Sequence, residues 1–281
     1  MSETNSPTTW QDTYAISTSI FRKDTLAVAL GKIANGGFQW VEVCGSDTHL
    51  DPRYQPDVAE ARDLFRALNL RAHALHTPFT TLKLGHPDPK LIPEWLRVIG
   101  ASLEIGVEIG AALAVVHVNG DPAGLTDAMY AESRQVSIEY IEALRVRARE
   151  LGIKLAIENM TRRPHLRQRF GMSLQELCST FPGSDLGFCL DVGHTATCRI
   201  DPAAEIAAAG NRLVTIHVDS NDGEDDLHWL PPRGIMDWSR NKKLLVAGGY
   251  RGRYVIELKG HDDPDGIFAQ AVAFAREDVN V

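Results

Sequence analysis

Six apolar runs in this chain end in a residue that can hold a proton or a metal ion: Leu75-His76, Val116-His117, Ile157-Glu158, Leu190-Asp191, Ile216-His217 and Ile256-Glu257. A charge or imidazole at the tip of a buried strand must be paired, solvated or bound to a cation. In Gly187-Phe-Cys-Leu-Asp-Val-Gly-His194, strand alternation puts Gly187, Cys189 and Asp191 on one face, with His194 a turn later. Two small residues below a carboxylate suit a crowded interior.

The core set is Glu158, Asp191, His217 and Glu257. Gathered in one place, three carboxylates raise one another's pKa unless a cation offsets them. Mixed carboxylate and imidazole donors with open positions suit Mn²⁺, Mg²⁺, Co²⁺ or Zn²⁺. The competing reading pairs each with a basic residue such as Lys259 or Arg253, and the recurrence on consecutive strands argues against it. A second tier holds His76, His117, His194, Asp226 and His228 as additional metal or substrate ligands. Taken singly, each reads as easily as a hydrogen-bonded polar residue, and the Asp226-x-His228 pair as part of a solvated acidic turn. His49, His73, His86 and His165 read as loop or packing residues, with His73 facing away from His76.

The elements that must position these residues alternate along the chain. Strands are expected over 14–18, 38–43, 71–76, 113–118, 153–158, 186–191, 213–218 and 254–258. Helices are expected over 25–34 (capped by Asp24), 58–68, 89–109, 127–151, 173–181, 202–209, 238–247 and 264–276. Eight strand–helix units without a composition break imply an α/β protein with a parallel sheet. They close most naturally as a single (β/α)8 TIM barrel over 14–281, after a disordered N-terminal lead over 1–13. A doubly wound open sheet is the alternative. The first strand–helix turn has no G-x-G-x-x-G, and no Walker-type loop occurs, so no nucleotide cofactor is expected. In such a barrel the strand C-termini share one mouth, where active sites sit, so the charged strand ends become neighbours.

Composition narrows the function classes. An apolar fraction of 44% supplies an ordinary core, and the net charge of −8 argues against nucleic acid as a partner. Four cysteines without C-x-x-C spacing read as reduced thiols of a cytoplasmic protein. The lead lacks a signal-peptide pattern and no apolar run approaches the ~20 residues of a membrane span, so a soluble protein without a membrane partner is expected. A homo-oligomer is compatible with all of this.

Several neighbours could shape a ligand. Arg162, Arg163, Arg167 and Arg169 follow Glu158-Asn159 on a loop that reads either as a solvated surface or as a clamp for a substrate phosphate or carboxylate. Trp40, Phe79 and Trp229 could supply apolar walls, Trp229 by stacking on the face of a ligand, or could equally be packed core positions. Glu42 could hydrogen-bond a hydroxyl or form a structural ion pair.

The residues quoted so far, together with His217-Val-Asp-Ser-Asn-Asp222 and Asp225-Asp-Leu-His-Trp-Leu-Pro-Pro-Arg-Gly-Ile-Met-Asp-Trp238, resemble the xylose isomerase-like TIM-barrel superfamily over nearly the whole chain. That superfamily joins sugar isomerases and epimerases to endonuclease IV-type apurinic-site nucleases. In the first branch the resemblance implies one divalent ion on Glu158, Asp191, His217 and Glu257, with His194 contacting substrate. In the nuclease branch it implies a trinuclear zinc site, and acceptable residues stand at all nine matching positions: His76, His117, Glu158, Asp191, His194, His217, Asp226, His228 and Glu257. The chain also departs from known patterns. Pro164 and Gly223 replace a substrate-binding Glu and Arg of ketose 3-epimerases, and Pro232-Arg233-Gly234 replaces a Gly-Glu-Gly, which puts Arg233 among the expected substrate contacts.

The expected function is therefore a divalent-metal-dependent isomerase or epimerase of a sugar, sugar phosphate or related polyol. Glu158 and Glu257 would exchange protons with the reacting carbon through an enediolate that the metal stabilises. The alternatives are a dehydratase on the same metal site, a trinuclear zinc phosphodiesterase acting on abasic DNA, and a barrel that binds a sugar-like ligand without turnover.

Overall fold

Alternation along each strand sends one row of side chains into the ring and the other toward the helices, and this partition organises the structure. The computed structural model describes residues 9–120, 124–183 and 185–278. Its strands are β1 (Tyr14–Ser17), β2 (Trp40–Cys44), β3 (Arg71–His76), β4 (Leu113–His117), β5 (Lys154–Glu158), β6 (Gly187–Asp191), β7 (Leu213–Val218) and β8 (Tyr254–Ile256). Every neighbouring pair is parallel, and β8 closes on β1 to complete the expected (β/α)8 TIM barrel.

The outward row, including Ile16, Val41, Leu75, Val116, Ile157, Leu190, Ile216 and Ile256, packs into one large core with the helices. The inward row forms a separate small cluster of Ala74, Leu113, Val115, Ala156 and Cys189. Gly187 belongs to this crowded layer, since a Cβ there would lie 2.5 Å from Val214 Cγ2.

The outer helices start where their caps dictate. Thr25, Asp57, Ser173, Asp201 and Asp237 each accept a hydrogen bond from a first-turn amide of the helix they precede. The expected Asp24 cap is therefore displaced by one residue. Thr25 takes the cap, and Asp24 instead pairs with Lys32 at 3.0 Å. No described helix is long and apolar enough to cross a membrane.

Two further expectations are corrected, and one element appears that the sequence did not announce. Residues 1–8 of the supposed disordered lead lie outside the described residues, but Trp10–Thr13 is a helical turn. Trp10 anchors that turn by packing edge-on against Phe38, with centroids 5.0 Å apart. A short helix, Val192–Cys198, follows β6 directly and carries His194. A register shift in the β2–β3 ladder inserts an extra residue between Ala72 and Ala74, and His73 is that residue. The bulge turns His73 into the ring, where its Nε2 lies 3.1 Å from Thr215 Oγ1, rather than out toward the helices.

Candidate metal and substrate site at the barrel mouth

Each of the strand-end residues sits one or two positions past an inward small or apolar residue, so all reach the same mouth. Glu158 Oε1, Asp191 Oδ2 and Glu257 Oε2 lie 3.5, 3.8 and 2.9 Å from His217 Nδ1. One ligand atom from each of these four residues falls within 4.8 Å of the others. The Lys259 and Arg253 partners of the competing reading do not sit on this group. Arg253 lies over the Trp40 ring at 3.5 Å, and Lys259 reaches Asp226 at 3.7 Å.

Three further donor groups adjoin the central one, one of them formed by Asp191, Asp219 and His228. His76 and His117 direct Nε2 at Glu158 Oε2, at 3.1 and 3.0 Å. His194 and His228 direct Nε2 at Asp226 Oδ1, at 3.4 and 3.2 Å. Glu158 thus turns one oxygen to the His76/His117 group and the other to the central group. All five second-tier residues are gathered at this mouth.

The far ring nitrogens explain how the imidazoles are aimed. Nδ1 of His76 faces the Thr77 carbonyl at 3.0 Å, Nδ1 of His194 faces the Asn159 carbonyl at 2.7 Å, and Nδ1 of His228 faces the Glu257 carbonyl at 3.3 Å. Nε2 of His217 faces Glu42 Oε2 at 3.1 Å. A ring that donates on one side presents a lone pair on the other, which is how metal-ligating histidines are commonly set. Glu42 is fully buried and outside the cavity wall, so it takes the ion-pair role rather than the hydroxyl-binding one.

Electrostatics agree with a cation-ready centre. Burial works against charge on Glu158, yet the His117 and His217 imidazoles hold its carboxyl well below the usual range. Against the same burial, Glu158 pushes His76 up to about 9, and Asp191 with Asp226 pushes His194 up to about 10. His217 and His228 are also raised well above the ordinary imidazole value, while burial takes His117 down to about 4. Protons on these rings occupy the positions a divalent ion could take. His217 Nδ1, Asp191 Oδ2 and Asp226 Oδ1 are buried without hydrogen-bond partners, and their donor types match the oxygen–nitrogen preference of Mn²⁺, Co²⁺ or Zn²⁺. The residues present therefore fit a divalent metal.

A cavity of about 430 Å³ opens above this centre, with Glu158, Glu257, His76, His117, His194, His228 and Asp226 in its wall. Asp191 and His217 lie beneath it, fully buried. Phe79 forms one apolar side and stacks on His117 with centroids 4.2 Å apart. Trp40 and Trp229 are not in that wall; Trp229 instead stacks under the Arg233 guanidinium at 4.0 Å. Arg233 is likewise outside it.

The arginine loop divides. Arg162 pairs with Glu224 at 2.6 Å, and Arg169 is buried on the carbonyls of Asn119 and Thr161. Arg167 is exposed and outside the cavity wall, whereas Arg163 and Arg169 both line it. Arg22 and Lys259, which the sequence did not single out as ligand contacts, also line the cavity and separate it from a second one of about 670 Å³.

Asp219 is the other residue missed. It is fully buried, accepts from the Gly193 amide at 2.9 Å, and its Oδ2 lies 3.6 Å from His228 Nδ1. Burial and the neighbouring Asp191 raise its pKa well above the usual carboxylate value. The signal was available, because the alternation that selects His217 also selects Asp219 two residues on.

Comparison with known proteins places the whole arrangement. A family model described as the xylose isomerase-like TIM barrel matches residues 30–278. An uncharacterised protein of Methanocaldococcus jannaschii is 25% identical over 257 residues, spanning 89% of this chain and 85% of its own. The crystal structure of a D-tagatose 3-epimerase-like protein superposes with a TM-score of 0.79 at 21% identity, covering 95% of this chain and 98% of that one. A D-allulose 3-epimerase from Methylomonas sp., in complex with D-allulose, gives 0.75 at 19% identity, covering 94% and 96%.

Proposed function

This chain belongs to the xylose isomerase-like TIM-barrel family, and from that premise we propose that it is a divalent-metal-dependent isomerase or epimerase of a sugar, sugar phosphate or related polyol. The observation that carries the reading is the central group: Glu158, Asp191, His217 and Glu257 converge under a cavity of the size small ligands occupy. The structural likeness to sugar 3-epimerases, one of them holding D-allulose, supports the same substrate class.

These four residues would hold the ion. When bound, it supplies Lewis acidity that lowers the pKa of a C–H beside a substrate carbonyl. Glu158 and Glu257 are the two members of the group whose side chains reach the cavity wall, from β5 and from the end of β8. They can therefore take a proton from one face of a bound sugar and return one from another direction. Return to the same carbon gives epimerisation, return to its neighbour gives aldose–ketose exchange, and loss of a hydroxyl instead gives dehydration. Glu42 keeps His217 in the tautomer that points Nδ1 at the carboxylates. His194 stands in the wall beside Glu158 and can contact a substrate hydroxyl. Phe79 offers an apolar side, and Arg22, Arg163 and Lys259 give the rim positive charge suited to an anionic sugar substituent.

The test is metal-dependent deuterium wash-in from solvent into a panel of keto-sugars and their phosphates. Incorporation that chelator abolishes and Mn²⁺ or Co²⁺ restores is expected. No exchange into any member of the panel, in the metal-loaded protein, overturns the reading.

A second reading is kept because a specific observation favours it. The His76/His117/Glu158 and His194/Asp226/His228 groups flank the central one, as three ions around one phosphodiester would require. Substrate separates the two. Metal-dependent exchange into a keto-sugar without cleavage of abasic DNA supports the isomerase, and about three tightly held zinc ions with cleavage of abasic DNA support the phosphodiesterase.

A further inference from the structure

We propose that Asp219 is a positioning residue that aims His228 and so sets cation binding at the His194/Asp226/His228 group, separately from the central four residues. The inference rests on the metal-binding reading above but not on the isomerase assignment.

Asp219 has a built environment. Its Oδ1 accepts the Gly193 amide, and a Cβ at Gly193 would lie 2.3 Å from Asp219 Oδ2, so only glycine leaves room for the carboxylate. Asn221 fixes the other side of Gly193 by donating to its carbonyl at 2.8 Å. Asp219 Oδ2 is fully buried and has no hydrogen-bond partner. A bare carboxylate oxygen in such a place is costly unless a positive charge compensates it. The imidazole it faces is His228, with Nδ1 at 3.6 Å.

His228 also needs holding. Its backbone sits at φ +48°, in the left-handed region that strains a non-glycine residue. Paired amides and carbonyls of Ser220 and Trp229, at 2.6 and 2.7 Å, clamp the next residue against the end of β7. The clamp brings the two segments together, and the strain is spent on one ring orientation. In that orientation Nδ1 faces Asp219 and the Glu257 carbonyl, while Nε2 faces Asp226 Oδ1, a buried oxygen that makes no hydrogen bond. A cation held by His228 would withdraw charge from the ring and make Nδ1–H more positive. The Asp219 carboxylate stabilises that change through the imidazole. Asp219 therefore acts on the flanking group through His228, without needing to touch the ion or the substrate.

The experiment is calorimetric titration of the chelated, full-length protein with Zn²⁺, for wild type, Asp219→Asn, His228→Gln and the double variant. Asparagine keeps the shape and the Gly193 hydrogen bond but removes the charge. Wild type is expected to take up more than one equivalent. Asp219→Asn should weaken one step by roughly 10- to 100-fold and leave the central step unchanged. His228→Gln should abolish that same step, and the double variant should lose nothing more, since both changes act on one ring. Circular dichroism melting of the metal-free variants identifies any that fail to fold, and Asp219→Glu then replaces Asp219→Asn, expected to bind closer to wild type. A single equivalent in wild type, an unchanged Asp219→Asn titration, or equal weakening of every step overturns the inference. None of these outcomes bears on deuterium exchange into keto-sugars, so the two ideas fail separately.

Discussion

Two layers of one barrel, a single pleat apart, have opposite characters. Along the strands, Ala74 precedes His76, Val115 precedes His117, Ala156 precedes Glu158, Cys189 precedes Asp191, Thr215 precedes His217 and Val255 precedes Glu257. The lower member of each pair is small or uncharged and fully buried, and the upper member is titratable and faces other titratable groups. Close packing in the lower layer leaves each Cα above it one position, so the charged layer inherits a rigidity it could not provide for itself. The mouth is tuned by charge and the layer below by volume. Substitutions in the two should therefore fail in different ways.

The largest effect is expected from the mouth residue that serves two donor groups. Glu158→Gln keeps the size but removes the charge facing both His76/His117 and His217. Turnover of a responsive keto-sugar should fall by about 10²- to 10⁴-fold, with thermal stability of the metal-free protein little changed. Metal analysis and deuterium exchange read the first part, and a melting curve the second. A large loss of stability with retained exchange would invert the assignment of the two layers.

Next is the buried residue behind the ring. Glu42→Gln should weaken metal binding by roughly 10- to 100-fold, because His217 loses the partner that fixes its tautomer. Titration of the chelated variant with Mn²⁺ measures this. The protonated state of the mouth gives a related expectation. His76 and His194, raised to about 9 and about 10, carry protons near neutral pH in the metal-free chain. A metal ion must displace them, so affinity should rise with pH toward that range and binding should release protons. Repeating the calorimetry in buffers of different ionisation enthalpy shows the release directly.

These outcomes also bear on how far the sequence could be read. The six strand-end residues were legible because period-two alternation and apolar runs mark a strand and its terminal side chain at once. Barrel closure then supplied the proximity, which spacing alone could not. What escaped had local causes. His73 was assigned outward because a single extra residue at a bulge flips every side chain counted across it. The helix Val192–Cys198 is only two turns long and rich in Gly, Thr and His, so no apolar period announces it. How the arginines are held depended on long-range partners: Glu224 for Arg162, and the carbonyls of Asn119 and Thr161 for Arg169. No pattern along the loop encodes those. Asp219 was legible by the same alternation as His217 and was passed over because the segment continues into a polar turn.

In the lower layer the expected signature is a loss of stability without a loss of chemistry. Gly187→Val places branched carbons where even a Cβ would sit 2.5 Å from Val214 and 3.3 Å from the Leu155 carbonyl. A cost of about 1–3 kcal/mol is expected, visible as a lower denaturant midpoint. Metal affinity per folded molecule should be retained.

The smallest effect separates the layers by pH. His73, below the mouth, is driven down to about 3 by burial, helped by the Arg253 and His217 charges, and its Nε2 faces the Thr215 hydroxyl. The unfolded chain protonates this ring near pH 6.5, whereas the folded chain does so near 3. Between those values unfolding takes up a proton, so folded stability is whole above about 6.5 and declines as pH falls toward 3. His73→Gln keeps a hydrogen-bonding group for Thr215 and removes the titration. Its stability relative to wild type should therefore improve steadily as the medium is acidified from pH 6.5 to 4, by up to about 1.4 kcal/mol per pH unit. Urea melts across that range read the slope. A difference independent of pH would mean that the folded ring is already charged, and the lower layer would then be no less electrostatic than the mouth above it.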